Sequence, residues 1–421
     1  MWQKAKNQYH LSQAMLANII YWFPARKLKV IGVTGTDGKT TTVSLIYHVL
    51  QKAGYRASLI SSVGEIINNK QSEIGFHVTT PGRFALQAHL KRARKEEVEY
   101  VVLELTSHAL DQYRAFGVPI EVGVLTNISN EHLDYHETYE KYIKAKLKLL
   151  KKAKIAVVNK DDKSYKFVKN PLKHKKVITY GLKKDADINP HNFPFKTKLI
   201  GQFNNYNCLA AISTLMQLHI SEQEIRQGLL SFKAPSGRQE VVYQKDFSVI
   251  NDFAHTPNSF VVILPEMKKL TRNKLIHVFG SAGKRDKYKR PEMGKISSMY
   301  ADIIILTAED PRDENPEDIN QQIISGINDS NFAIVNYNAL KDREVYLNEK
   351  NKYIISVPNR RQAIEFAISI AKKGDLVLLT GKGHEQSINY GKGEEPWDEK
   401  EEVLKAIKNK KSMILNENIA I

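Results

Sequence analysis

The stretch VIGVTGTDGKTTT (30–42) constrains this chain more than any other. A run of β-branched residues ends in a glycine-rich turn, and an apolar segment of helical period, TTVSLIYHVLQKAG (41–54), follows at once. A strand that feeds a helix through such a turn is built to hold phosphate. Gly35 and Gly38 let backbone N–H groups face phosphate oxygens, Lys39 meets the outer phosphates, and the Thr40 hydroxyl offers a magnesium ligand. Thr36, Asp37 and Thr41 complete a loop that would wrap a nucleotide such as ATP. Its two glycines stand closer together than in the common form of this loop.

Around the loop, short apolar runs alternate with helical patterns: KVIGVTG, EYVVLELT, IEVGVLTNI and AKIAVVNK read as strands. Strand, helix, strand repetition predicts a parallel sheet with crossover helices on both faces. The alternation restarts after APSGRQEVV with FSVINDFA, KLIHVFG, ADIIILTA, YIISV and DLVLLTG. Pro235, Ser236 and Gly237 stand at the seam. At 421 residues the chain exceeds what one hydrophobic core usually supports. The expected class is therefore α/β: a short apolar helical segment (1–28), a P-loop domain with a parallel sheet (29–235), and a Rossmann-like α/β domain (236–421).

Charge and composition narrow the function less. The net charge of +17 welcomes anionic partners without choosing among them, and lysine-rich stretches such as KAKLKLLKKAK (144–154) read first as solvated helix faces. No recognition motif or aromatic-basic stripe for nucleic acid is present. A single cysteine, Cys208, excludes an internal disulfide and suits a reducing, cytoplasmic compartment. The apolar stretch LSQAMLANIIYWFP (11–24) has no small-residue cleavage site and falls short of the roughly 20 apolar residues that span a bilayer. It predicts a helix that packs on the domain or lies at a membrane surface. Tyr21, Trp22 and Phe23 beside Arg26, Lys27 and Lys29 suit such an interface.

The compressed loop GTDGKTTT resembles the phosphate loop of the Mur ligase family, which includes folylpolyglutamate synthases. Further segments follow in that family's order: VLELTSHALDQYR (102–114), TNISNEHLDYH (126–136), YIKAKLKLL (142–150), GQFNNYNCLAA (201–211), GRQEVV (237–242), NDFAHTPNSF (251–260), VFGSAGKRDKYKRPEMG (278–294), TAEDPRDENP (307–316) and GKGHEQS (381–387). The likeness runs from about Lys29 to the end. Thr79-Thr80-Pro81 together with SHAL and GKGHE is most similar to the branch that adds the third amino acid to the cell-wall muramoyl peptide.

This resemblance implies an ATP-dependent, ADP-forming ligase that activates a carboxylate as an acyl phosphate and passes it to an amine. It implies magnesium ions held by Thr40, Glu104, His132 and Lys146, the last as a carbamate. On the residues alone, His132 also fits a hydrogen-bonded turn and Lys146 a solvated face. A buried, unpaired Glu104 would be costly, which favours a metal role. Asn204 and Asn207 resemble adenine contacts, with helix capping as the other reading. Arg238, Asp252 and His255 are similar to contacts on the phosphates, ribose and nucleotide.

For the substrates, Thr79, Thr80 and Ser107 match positions on the nucleotide-linked muramoyl peptide. Arg285 and Arg312 match arginines that hold the incoming amino acid's carboxylate, and Glu309, Asp310 and Glu385 would face its side chain. Glu-Asp-Pro-Arg at 309–312 favours an amino acid with a second ammonium, lysine or another diamino acid. Segment 1–28 is shorter than the UDP-binding domain with which such synthetases begin. Uridine is then held differently, or by a partner, or the acceptor differs. A monomer is expected.

Overall fold

The computed structural model describes residues 2–72, 79–129, 131, 133–341, 347–348 and 351–419. His132 lies outside the described residues. The chain divides into two units, Met1–Pro235 and Ser236–Ile421.

In the first unit α1 (Trp2–Ile20) precedes β1 (Lys29–Thr34), and the phosphate loop joins β1 to α2 (Lys39–Lys52). There follow β2 (Ala57–Ser61), β3 (Gly64–Ile67), β4 (Lys70–Ser72), α3 (Arg83–Lys95), β5 (Tyr100–Glu104), α4 (Ser107–Asp111), β6 (Val122–Leu125), α5 (Leu133–His136), α6 (Tyr139–Lys152), β7 (Ile155–Asn159), α7 (Tyr165–Val168), β8 (Lys176–Tyr180), α8 (Phe203–Gln217) and α9 (Glu222–Ser231). The sheet has the order β4-β3-β2-β5-β1-β6-β7-β8 and is parallel except at β2–β3 and β3–β4. Sequence patterning missed the β3–β4 hairpin, β2 and β8. β3 and β4 are only four and three residues long, and β2 (ASLIS) and β8 (KVITY) interleave polar with apolar residues and lack the continuous apolar run of β1.

Both faces of β1 are buried, which explains its continuous apolar run. Ile31 and Val33 pack with Val43 and Leu45 of α2, Leu209 and Ile212 of α8 and Leu229 of α9. Val30 turns to the other face with Leu86 and Leu90 of α3 and Leu149 of α6. Each of these leucines adds roughly 1.5–3 kcal/mol by leaving water. β1 lies between β5 and β6, so the ends of three parallel strands frame the phosphate loop. Ligands of open α/β sheets bind at such carboxyl ends.

α1 packs inward through Ala14, Ala17 and Asn18, and Asn18 Nδ2 donates to the Phe116 carbonyl at 2.9 Å. Its opposite face exposes Met15, Leu16, Ile19 and Ile20. Among the described residues no helix is long and apolar enough to cross a membrane.

The second unit contains β9 (Glu240–Gln244), β10 (Ser248–Asp252), α10 (Pro257–Leu270), β11 (Leu275–Phe279), α11 (Lys289–Tyr300), β12 (Ile303–Leu306), α12 (Pro316–Ile324), β13 (Phe332–Asn336), α13 (Tyr337–Lys341), β14 (Lys352–Ser356), α14 (Arg360–Ile370), β15 (Leu376–Thr380), β16 (Ser387–Asn389), β17 (Glu394–Pro396) and α15 (Glu399–Ile419). Its sheet runs β13-β14-β12-β11-β15-β10-β9 and is parallel except at β9–β10. β16 and β17 form a separate hairpin.

Candidate active site

The phosphate loop is braced by the segment after β6. Thr36 N donates to the Asn127 carbonyl at 2.9 Å, Asp37 N to Asn127 Oδ1 at 2.9 Å, and Asn127 Nδ2 to the Asp37 carbonyl at 3.1 Å. Thr126 Oγ1 donates to the same Asp37 carbonyl at 2.7 Å. Gly38 adopts φ 79°, and a Cβ there would lie 2.2 Å from Asn207 Oδ1, so both backbone and space demand glycine. Lys39 Nζ reaches back to the Thr36 carbonyl at 2.6 Å. Thr41 follows in the first turn of α2.

Glu104 ends β5, next to β1, and is 1% exposed. Thr40 Oγ1 lies 3.2 Å and 3.1 Å from its two carboxylate oxygens and 3.0 Å from Ser62 Oγ, while Ser62 N donates to Glu104 Oε2 at 3.2 Å. A buried carboxylate and a hydroxyl beside a phosphate loop are hard oxygen donors of the type magnesium takes, so this pair fits the ion the family implies. Among the described residues no three His, Cys, Asp or Glu side chains gather as a ligand set.

Lys146 corrects one reading of the sequence. It is 1% exposed rather than solvated, because it shares the inner face of α6 with Tyr142, Ile143, Leu149 and Leu150. Its Nζ donates to the Gly35 carbonyl at 2.5 Å and lies 4.4 Å from the Tyr142 ring centre. Burial, then the neighbouring Lys39, hold its ammonium well below the usual lysine range. Tyr142 Oη in turn lies 3.2 Å from Thr36 Oγ1.

Asn204 and Asn207 lie inside α8, which begins at Phe203, so the capping alternative fails for both. Asn207 Nδ2 donates to Asn204 Oδ1 at 2.8 Å, and Asn204 Nδ2 to the Ile200 carbonyl at 2.6 Å.

Thr80 ties its segment to β5: its hydroxyl donates to the Glu104 carbonyl at 2.9 Å and accepts from Thr106 N at 3.2 Å. Ser107 begins α4 and is buried, and Thr79 precedes Thr80 half-buried. The structure adds Arg114, which the sequence reading left without a role. Its Nη1 donates to the Thr80 carbonyl at 2.6 Å. Its place at the end of VLELTSHALDQYR was the available signal.

In the second unit, Arg238 stacks over Phe253, 4.5 Å from the ring centre. Asp252 accepts from the backbone N–H groups of Gln239 at 2.8 Å and Ala254 at 2.7 Å, and burial pushes its carboxyl above the usual range against the pull of Arg238. His255 Nδ1 lies 2.8 Å from the Phe253 carbonyl.

The segments around Gly283 and around Asp310 are locked together. Gly283 N donates to the Asp310 carbonyl at 2.8 Å, and Arg312 Nη1 to the Gly283 carbonyl at 3.2 Å. A Cβ on Gly283 would meet the Pro311 carbonyl oxygen at 1.9 Å. Arg290 is wholly buried and spans the two segments, donating to the Ala282 carbonyl at 3.0 Å and to Glu314 Oε2 at 2.9 Å. That bond leads the contacts that hold the Glu314 carboxyl down to about 2. Arg285 and Arg312 ride on the two segments so joined. Substituting Arg290 by alanine should raise the KM for the amino acid roughly 10-fold or more, at the scale of a lost charged hydrogen bond. A KM series for the amino acid alongside ATP checks this.

Asp310 and Glu385 do not stand free. Buried Lys382 Nζ holds Asp310 Oδ1 at 3.0 Å and Glu385 Oε2 at 2.7 Å. Glu309 lies buried nearby in sequence, and Oε2 of its carboxylate has no hydrogen-bond partner among the described residues. Lys382, like Arg290, was missed, since a lysine between two glycines carries no sign of burial.

A braced phosphate loop with a buried carboxylate at its threonine, on a unit followed by a second α/β unit, fits a nucleotide-dependent enzyme. Residues 33–215 match the model of the Mur ligase middle domain and residues 237–383 that of the Mur ligase glutamate ligase domain. The chain belongs to the Mur ligase family and is an ATP-dependent, ADP-forming amide-bond ligase. It is 40% identical to the UDP-N-acetylmuramoyl-L-alanyl-D-glutamate–2,6-diaminopimelate ligase of Aquifex aeolicus, covering 86% of this chain and 74% of that one. It is 38% identical to the UDP-N-acetylmuramyl-tripeptide synthetase of Borreliella burgdorferi, covering 93% and 78%. A solved diaminopimelate ligase superposes with a TM-score of 0.62 at 29% identity, covering 91% and 79%. The fold is shared with the Mycobacterium tuberculosis folylpolyglutamate synthase, at a TM-score of 0.68 and 15% identity over 88% and 92%.

Proposed function

We propose that this ligase adds a diamino acid, lysine or diaminopimelate, to a UDP-N-acetylmuramoyl dipeptide. The juxtaposition of Thr40, Glu104 and buried Lys146 at the phosphate loop carries the reading. The acceptor carboxylate attacks the γ-phosphorus of ATP and ADP leaves; the amine nitrogen then attacks the acyl carbon, expelling phosphate and releasing a proton. Lys39 and the backbone N–H groups of Gly38 to Thr41, at the start of α2, hold the phosphates in line. Thr40 and Glu104, with the Lys146 carbamate and His132, would hold magnesium, which offsets repulsion among the anionic oxygens. Arg285 and Arg312 orient the amino acid by its carboxylate. The relatives named for diaminopimelate and tripeptide synthesis support this substrate class.

ATP-dependent phosphate release with UDP-muramoyl dipeptide tests the reading, with lysine, diaminopimelate and ornithine offered in turn. Dihydrofolate plus glutamate serves as the control for a folylpolyglutamate-synthase-like activity. Turnover with a muramoyl acceptor and at least one diamino acid is expected. Turnover only with the folate pair sinks the proposal.

The working form is a cytoplasmic monomer that touches anionic membrane surfaces through residues 11–24. Trp22 is 82% exposed beside the outward Leu16, Ile19 and Ile20, Arg26 and Lys27 are exposed, and residues 1–36 contain no acid. Apolar side chains flanked by basic ones favour an anionic lipid surface. Flotation with anionic vesicles should carry the protein upward, and Leu16→Ser combined with Trp22→Ser should leave it at the bottom. A dimer in light scattering would instead assign that face to a second copy.

A further inference from the structure

On the acceptor side of the P-loop unit, α1 closes over two arginines. Arg83 opens α3 and donates from Nη2 to the Gln112 carbonyl at 2.8 Å. Arg114 grips Gln112 Oε1 from Nε at 3.3 Å and Nη2 at 3.1 Å, besides its bond to Thr80. From α1, Gln13 Oε1 lies 3.4 Å from Arg83 Nη1, and Asn7 Nδ2 donates to Asp111 Oδ2 at 3.0 Å. Lys6, His10 and Gln13 fall at helical spacing along one side of α1.

Asp111 does not neutralise this group. Its carboxylate is taken by Lys148 at 2.6 Å, by Asn7 and by Tyr135 Oη at 3.2 Å. Arg83 Nε and His10 Nδ1 are enclosed without a hydrogen-bond partner among the described residues. The cations work against one another: burial, then Arg83 and Lys6, hold the His10 imidazole below its usual range, and burial with Arg114 lowers the guanidinium of Arg83. Enclosed donors of like charge cost free energy that a shared polyanion recovers.

We propose that Lys6, His10 and Gln13 of α1, with Arg83 of α3, bind the diphosphate of the acceptor. The inference rests on the muramoyl-acceptor reading and extends it beyond the peptide end. The cluster adjoins Thr79 and Thr80 through Arg114, and a diphosphate has enough oxygens to occupy the donors of Arg83, His10 and Lys6 together. A sugar-linked diphosphate comes on a uridine nucleotide or on a polyprenyl lipid. The same helix turns its apolar face outward, so both carriers enter the test.

Steady-state kinetics decide it. Arg83→Ala and the double variant Lys6→Ala/His10→Ala should each raise the acceptor KM roughly 10-fold, with the loss in KM rather than kcat and the KM for ATP at its wild-type value. Lys6→Glu, at an exposed position, keeps the test open should Arg83→Ala fail to fold, and should raise the acceptor KM as well. Inorganic pyrophosphate should compete with the acceptor in the wild type and compete more weakly in the variants. Running the UDP-linked dipeptide in solution beside the polyprenyl-diphosphate-linked dipeptide in vesicles identifies the carrier by the lower KM. An acceptor KM unchanged in all variants, or pyrophosphate competing only with ATP, overturns the inference. A wild type that turns over no muramoyl acceptor strikes at the proposed function instead.

Discussion

Replacing Lys146 by alanine is expected to lower turnover by about 10²–10³-fold or more, the scale of removing one preorganised charge-stabilising group at a reacting phosphate. Short-chain carboxylic acids should restore part of it by entering the space the side chain leaves. The physical basis is the environment of the amine. An ammonium cannot attack carbon dioxide, whereas a neutral amine forms an N–C bond and sheds a proton to give a carbamate. Burial, then Lys39, favour the neutral amine here. Full activity in Lys146→Ala, or a loss indifferent to added acid and to dissolved carbon dioxide, would refute the assignment.

The same residue predicts an opposite effect on stability. Unfolding exposes Lys146, whose amine then binds a proton more readily than it does in the folded chain. Below the unfolded lysine value of about 10.4, stability contributed at this position therefore falls as pH falls. Lys146→Met, of similar volume, removes that penalty. In carbon-dioxide-free buffer the inactive variant should melt above the wild type at pH 7, with the gap closing towards pH 10. Parallel thermal scans across this range check the sign.

The second large effect lies in the Ser236–Ile421 unit. Arg360 is fully buried and donates to Glu399 Oε1 at 3.1 Å and Oε2 at 2.9 Å from Nε, to Ala308 O at 3.0 Å from Nη1 and to Thr380 O at 2.9 Å from Nη2. Glu399 also accepts from Trp397 Nε1 at 2.7 Å. Arg360→Met leaves a buried carboxylate without its counter-charge, a change that costs about 3–5 kcal/mol. For a unit of this size that corresponds to a drop of roughly 10 °C in its melting transition. Adding Glu399→Leu should recover much of the loss, since replacing both members of a buried pair by apolar groups is often neutral. Calorimetry of both variants distinguishes the pair from a mere packing defect: a double variant as unstable as the single one would reject the argument.

Much of the frame was legible. The β-branched run before Gly35 predicts a doubly buried strand, and the glycine-threonine turn after it predicts a helix, because period and turn chemistry are local properties. Even the burial of Lys146 was partly readable: it stands three residues after Ile143 and four before Leu150, in phase with the apolar face of α6. Counting lysines hid that phase. The β3–β4 hairpin, β2 and β8 were not legible, since the hairpin strands are three and four residues long and β2 and β8 mix polar with apolar residues, so their pairing with neighbours decides them.

The residues that join distant segments were beyond local reading. Lys382 meets Asp310 across 72 positions, Arg290 meets Glu314 across 24, and Arg360 meets Glu399 across 39. Nothing near Lys382 in the sequence marks it as the counter-ion of Asp310, so two of the three acids expected to face the substrate side chain, Asp310 and Glu385, are already partnered. His10 and Arg83 likewise come together only because Ala14, Ala17 and Asn18 dock α1 on the fold. The sequence by itself determined the strand-loop-helix that cradles phosphate and the order of the family's segments, because dihedral preference and side-chain periodicity act over a few residues. Only the tertiary structure decided which charges are buried and which are shared, because desolvation and Coulomb energy depend on what surrounds a group in space.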